Sequence, residues 1–184
     1  MVTHPITSLV GLIWLAQLPF KQPQAWLHPA IDGRVTRTEW ALAGSVFAPD
    51  QARPGLHAIL YGYSGDRLCF ALLHDPAPLQ ASIILSGPLG VQRVERIESG
   101  SFALVPTAPD SRQDALQAAE GRGVTEFAVT WQALGAHPGD RLRLFVQSAV
   151  TSFPSPALEL CVPRAPAGER PTENQDPETH RPCP

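Results

Sequence analysis

Long apolar runs, charge and sulfur are all scarce in this chain of 184 residues, and each shortage removes a class of protein. The apolar run Ser8-Leu9-Val10-Gly11-Leu12-Ile13-Trp14-Leu15-Ala16-Gln17-Leu18 falls short of the roughly 20 residues that span a bilayer. It also lacks the flanks of a secretory signal. No Lys or Arg precedes it, and Gln17-Leu18-Pro19 is a poor cleavage site. The expectation is a cytoplasmic protein without a membrane span, secretion being a minor alternative. The net charge of −3 denies the chain the basic surface that nucleic-acid binding needs. Three cysteines make an odd count with no C-x-x-C pair. Cys69 and Cys161 lie in apolar strand-like runs, where a buried free thiol is the usual state.

Proline is the residue in surplus, at 20 positions, about twice its average frequency. With charged residues at only 17%, below the typical level of about 25%, and few Lys or Glu, this composition opposes a helical bundle and favours strands and turns. Helical spacing shows in one place: Leu9, Leu12, Ile13 and Ala16 share a helix face that Pro19 would end. From Pro163 to Pro184 the chain holds six prolines and no aromatic residue. It has too little apolar surface to offset chain entropy and reads as a disordered tail. The expected organisation is an N-terminal helix and linker over 1–28, a β domain over 29–162, and the tail.

Short apolar or alternating runs fill the middle. They predict strands at Trp40–Ala48, Leu56–Tyr63, Arg67–His74, Ala81–Ser86, Val91–Ile97, Phe102–Val105, Val124–Trp131, Arg141–Ala149 and Leu158–Val162. Turn signals separate them, as at Ser64-Gly65-Asp66 and His137-Pro138-Gly139. Asp110–Glu120 fits either a helical turn or a strand pairing across Gly121-Arg122-Gly123. About nine strands spaced near ten residues, with no long helices between them, predict an all-β antiparallel sandwich.

Two segments are more specific than periodicity. Pro29-Ala30-Ile31-Asp32-Gly33-Arg34-Val35, followed by Glu39-Trp40 and Ala43-Gly44, resembles the opening of the β-sandwich domain that follows the catalytic region in family 57 glycoside hydrolases. It is similar, more loosely, to family 9 carbohydrate-binding modules and DOMON-like sandwiches. Glu126-Phe127-Ala128-Val129-Thr130 with Leu134-Gly135 and Gly139-Asp140-Arg141-Leu142 resembles a second signature of those domains. Thr130 stands where the family usually has Pro. Leu60-Tyr61-Gly62-Tyr63 resembles their hairpin, and Pro23-Gln24-Ala25-Trp26-Leu27-His28-Pro29 their linker. The resemblance implies a non-catalytic accessory domain, or the remnant of a larger gene. Its partners would be a glycoside hydrolase barrel or an α-glucan. The alternatives are a stand-alone carbohydrate-binding or DOMON-like module and a purely structural interaction domain.

The residues themselves offer no credible catalytic pair. Glycoside hydrolysis uses two carboxyl groups about 5–9.5 Å apart in a cleft, whereas Asp32, Glu39, Asp50 and Asp66 fall in turns or at the starts of strands. Asp32-Gly33 reads as a turn in which Asp bonds its own backbone. His57 and His74 could meet across a hairpin, yet zinc takes three or four ligands and the sequence supplies no others. Met1 is the only methionine, against methionine-ligated haem. No cofactor or metal is expected. His57, Tyr61 and Tyr63 line one strand face, either as a sugar-stacking row or as a core row with polar tips. Trp40 and Trp131 are expected to pack in the core. Leu12, Ile13, Trp14 and Trp26 are candidates for an interface with a catalytic barrel.

Overall fold

The structure is a computed structural model that describes residues 20–24, 26–48, 55–77, 81–97, 101–105, 115–147 and 152–164. The helix expected before Pro19, the tail beyond residue 164, and Leu12, Ile13, Trp14 and Asp50 lie outside them. Eleven strands and one short helix follow in order: β1 (Phe20–Lys21), α1 (Arg37–Trp40), β2 (Gly44–Phe47), β3 (Leu56–Ser64), β4 (Arg67–His74), β5 (Ser82–Gly87), β6 (Gly90–Arg96), β7 (Phe102–Val105), β8 (Leu116–Gly121), β9 (Val124–Thr130), β10 (Arg141–Gln147) and β11 (Ser152–Cys161). They form a six-stranded sheet, β1-β2-β3-β4-β9-β8, and a five-stranded sheet, β11-β10-β5-β6-β7, with every pairing antiparallel. The all-β sandwich read from the sequence is the observed architecture.

Alternation along each strand builds the core. Ile59, Tyr61, Tyr63, Phe70, Phe127 and Val129 of the larger sheet meet Ile83, Leu85, Val94, Leu142 and Leu144 of the smaller one. Stacking of Phe70 on Phe127 at 5.0 Å, and of Phe102 edge-on to Phe127 at 4.9 Å, fills the centre. Full burial of such a side chain contributes about 1.5–3 kcal/mol. The outer face of the five-stranded sheet is mixed: Arg141, Arg143 and Gln147 of β10 are exposed between buried Leu142, Leu144 and Val146, with half-buried Phe145 beside them and Val91 and Val105 exposed on β6 and β7. The six-stranded sheet differs. Its β3 and β4 are buried along almost their whole length because their second face is apolar too.

That second face is covered by a strap, the segment after β1 that runs through α1. Leu27, Trp40 and Ala43, with half-buried Ile31 and Val35, pack on Ala58, Leu60, Cys69, Ala71, Leu73 and Ala128. The small side chains leave room for the indole, and Gly62 leaves room for Leu27, whose side chain occupies the space a Cβ there would take.

Two sequence expectations are corrected, the strand expected from Trp40 and the free thiol expected at Cys161. Trp40 does not open a strand but closes α1, and β2 starts only at Gly44. Thr36 caps this helix: its Oγ1 accepts the Glu39 N–H and donates to Glu39 Oε2 at 2.6 Å. The residue spacing is that of a capping box, but the Glu39 carboxylate accepts the Thr36 hydroxyl rather than the Thr36 backbone N–H. Glu39 therefore serves the helix cap. The open segment resolves as its second alternative, since β8 pairs with β9 across Arg122-Gly123. Of the two central cysteines, Cys69 is a buried free thiol, as read, whereas Cys161 is disulfide-bonded, its partner outside the described residues.

The strap meets the sheet with no clearance at one point. Gly33 adopts φ +80°, and a Cβ on Gly121 would overlap the Gly33 carbonyl oxygen. Backbone on both sides leaves nothing flexible to yield. Gly121→Ala is expected to lower stability by about 2–3 kcal/mol in chemical denaturation, whereas alanine at Gly65, where a Cβ meets nothing within 4 Å, carries only the strain of φ +57°. Equal losses at the two positions would count against this seating of the strap.

Candidate functional site

Three arrangements of polar and aromatic side chains stand out. The first is a buried carboxylate. Glu126 lies in β9 on the strap side of the sheet and is fully buried. Its Oε2 accepts the backbone N–H groups of Asp32 (3.1 Å), Gly33 (2.8 Å) and Arg34 (3.2 Å), and its Oε1 accepts Trp40 Nε1–H at 3.0 Å. Burial pushes this carboxyl above its ordinary pKa, while the four donors pull the other way. Asp32 shapes the loop by accepting the Arg34 N–H on its own Oδ1 at 2.9 Å, the turn read from the sequence. Four donors saturate the group, so its role is to anchor.

The second lies where β3 begins and β4 ends. His57 Nε2 meets Asp75 Oδ1 at 2.9 Å, with both side chains well exposed. His74 is buried, its Nδ1 2.7 Å from the Asp75 carbonyl and its Nε2 2.9 Å from Thr125 Oγ1. The two histidines thus converge on Asp75. The carbonyl can only accept, so Nδ1–H donates to it, and Nε2 pairs with the threonine hydroxyl. Among the described residues no group of three or more His, Cys, Asp or Glu side chains is placed to hold a metal ion.

The third lies at the opposite end of the same strands. The Tyr63 ring sits between two indoles, 6.4 Å from Trp26 and 6.0 Å from Trp131. Trp131 N–H donates to the Asp66 carbonyl at 2.8 Å, and Leu27 N–H, next in the chain after Trp26, donates to the Tyr63 carbonyl at 2.7 Å. Trp131 Nε1–H reaches the Gly65 carbonyl at 3.3 Å. Both indoles are half-buried, and beside them Asp66 is exposed and 3.5 Å from Arg67 Nε.

The sequence-predicted row is divided by this geometry. Tyr61 and Tyr63 lie between the sheets and offer no ring face to solvent. His57 sits at a β-bulge between Leu56 and Ala58 and is half-exposed at the other end of the strand. Trp26 is fixed against Tyr63 and the core. Trp40 is buried as expected, on the outer rather than the inner face, and Trp131 is only half-buried. The anchoring role of Glu126 was missed, although a lone acid in the run Val124–Trp131 is a signal in itself. The aromatic end was missed because its members lie far apart in sequence, though Trp131 directly precedes a turn.

Two measurements check these arrangements. Glu126→Ala leaves the Asp32 and Gly33 N–H groups and the Trp40 indole without their acceptor, while Arg34 N–H keeps Asp32 Oδ1, and is expected to lose about 3 kcal/mol of stability. Glu126→Gln keeps the volume but sets an NH2 group against one of the donors, and should lose about half as much by denaturant titration. Parity of both variants with the parent would deny the anchor. Burial, the larger cause for each, raises Tyr61 and Tyr63, the latter to about 12. An unfolded tyrosine ionises near 10, so this contribution to stability is complete below about pH 10 and is lost as pH rises toward 12. These are the only two tyrosines. Their phenolate absorbance should appear in one step with unfolding; ionisation near pH 10 in the folded chain would contradict their burial.

In comparisons with known proteins, no family model, no curated protein and no solved structure matches this chain.

Proposed function

We propose that the chain is a non-catalytic accessory module similar to the β-sandwich domain of family 57 glycoside hydrolases, serving an α-glucan-active protein by supporting its catalytic barrel or by holding sugar. One observation carries the reading. The motif residues, remote in sequence, converge on one anchor: Asp32, Gly33 and Trp40 of the first segment bond Glu126 of the second. Leu27 of the linker lies over Gly62 of the hairpin. A single packing arrangement thus gives these residue types in this order a common physical reason, which supports the resemblance without depending on any one motif.

The carboxylates favour a non-catalytic role. Glu126 is saturated by donors, Glu39 is engaged in a helix cap, and Asp32 bonds its own loop. Glu126 is sealed beneath the strap, out of reach of a substrate, and the hydrogen bonds of Asp32 and Glu39 tie them to their own loop and helix rather than across a cleft. The second reading, a stand-alone ligand module, is favoured by the aromatic end, where two indoles remain partly open.

Native electrophoresis through gels containing amylose or glycogen tests the sugar-holding role. The expected outcome is retardation relative to a gel without polysaccharide, and no release of reducing ends on incubation. Unchanged mobility in both would leave the supporting role alone, and hydrolysis of either glucan would overturn the non-catalytic reading.

A further inference from the structure

Sugar recognition asks for two things from a protein surface: flat apolar rings that meet the C–H face of a pyranose, and a few polar groups aimed at its hydroxyls. The end of the sandwich where Tyr63 is buried beneath Trp26 and Trp131 brings the two residue types together: two partly exposed indoles and the exposed Asp66 carboxylate. Tyr63 is edge-on to Trp26 at 66° and tilted to Trp131 at 46°, so it holds the two indoles in fixed and different orientations. The tyrosine is immobilised in turn by burial and by a backbone hydrogen bond at Cys161. Rings locked in this way lose little further freedom when a ligand arrives.

We propose that this end is a binding site for neutral saccharide. Trp26 and Trp131 stack on pyranose rings of one short chain, and the Asp66 carboxylate accepts hydrogen bonds from sugar hydroxyls. The inference rests on the sugar-holding side of the accessory reading and assigns it a place. Size selects the ligand class. Two half-buried indoles fall far short of the roughly 800 Å² that each partner contributes to a standard protein interface. Charge narrows the choice further. Asp66, 78% exposed, stands 3.5 Å from Arg67 Nε, so the polar rim is internally balanced. A neutral polyol meets it without the desolvation penalty of an unmatched charge.

Calorimetric titration of the intact chain with maltoheptaose and with cellohexaose tests the site and distinguishes an α-linked from a β-linked ligand. One saccharide is expected to bind, with roughly tenfold weaker affinity for Trp131→Ala and for Trp26→Ala, and a smaller, several-fold loss for Asp66→Ala. Asp66 is exposed, so its variant keeps the test valid if loss of an indole loosens the fold. Thermal denaturation of each variant separates the two effects. Binding that survives all three substitutions within twofold would overturn this site while leaving the sugar-holding reading in place. Failure of the intact chain to bind either saccharide would overturn both.

Discussion

The contact on which the architecture depends is the buried carboxylate of Glu126. It is fully buried, yet it meets four N–H donors from a segment 86 to 94 residues away in sequence. A buried charge of this kind is tolerated only when saturated. The contact therefore works in both directions. The strap satisfies the carboxylate, and the carboxylate gathers three consecutive backbone N–H groups and an indole, of which the Gly33 N–H and the indole would otherwise be buried without acceptors. The same contact fixes the register of the strap on the sheet, because Gly33 and Gly121 leave no room to slide. Apolar packing of Leu27 and Trp40 supplies the area; the carboxylate supplies the address.

This constraint explains an asymmetry between the sheets. In the six-stranded sheet, both faces of β3 and β4 are apolar and nearly every residue is buried. Such strands would expose a hydrophobic face unless something lay over them, and the strap does. The five-stranded sheet needs no cover, since its strands alternate and its outer face carries Arg93, Glu95, Arg141, Arg143 and Glu159. Its edges are also guarded. β11 carries Pro154 and Pro156, which cannot donate to a further strand. Where β7 and β8 approach across the sandwich, Arg96 bridges to Glu120 while its guanidinium lies 4.8 Å from the Phe102 ring centre.

Alternation and turn chemistry made much of this fold legible. β4 runs from Arg67 to His74 and β7 from Phe102 to Val105, as read, because short apolar runs flanked by Gly or Pro determine such strands locally. The failure at Trp40 has an equally local cause. Trp40–Ala48 is apolar enough to read as a strand, and a four-residue helix is too short to show periodicity. Only the Thr36-x-x-Glu39 spacing announced it. Face assignment was harder. Period two places Tyr61 and Tyr63 together, but does not say whether their face meets solvent or the opposite sheet. That depends on the partner sheet, which local sequence does not contain. The bulge at His57 then removes that residue from the common row altogether. Glu126 was visible as an isolated acid in an apolar strand, but its partners were not, since they come from a distant loop.

The same geometry limits where the described residues can meet a small neutral ligand. The inner faces are core and the second face of the six-stranded sheet lies under the strap. The open face of the five-stranded sheet carries Arg–Glu pairs, with Val91 and Val105 exposed and Phe145 half-buried among them, so its apolar surface is interrupted by charge. At one end of the sandwich, His57, His74, Asp75 and Thr125 are engaged with one another, and a ligand there would have to displace those bonds. At the other end, the core itself reaches the surface through Trp26 and Trp131. Apolar ring surface there is half-open, held rigid from beneath by Tyr63, and rimmed by a carboxylate that already has its counter-charge. A ligand stacking there, as proposed, would leave the Leu27 and Trp131 backbone hydrogen bonds intact.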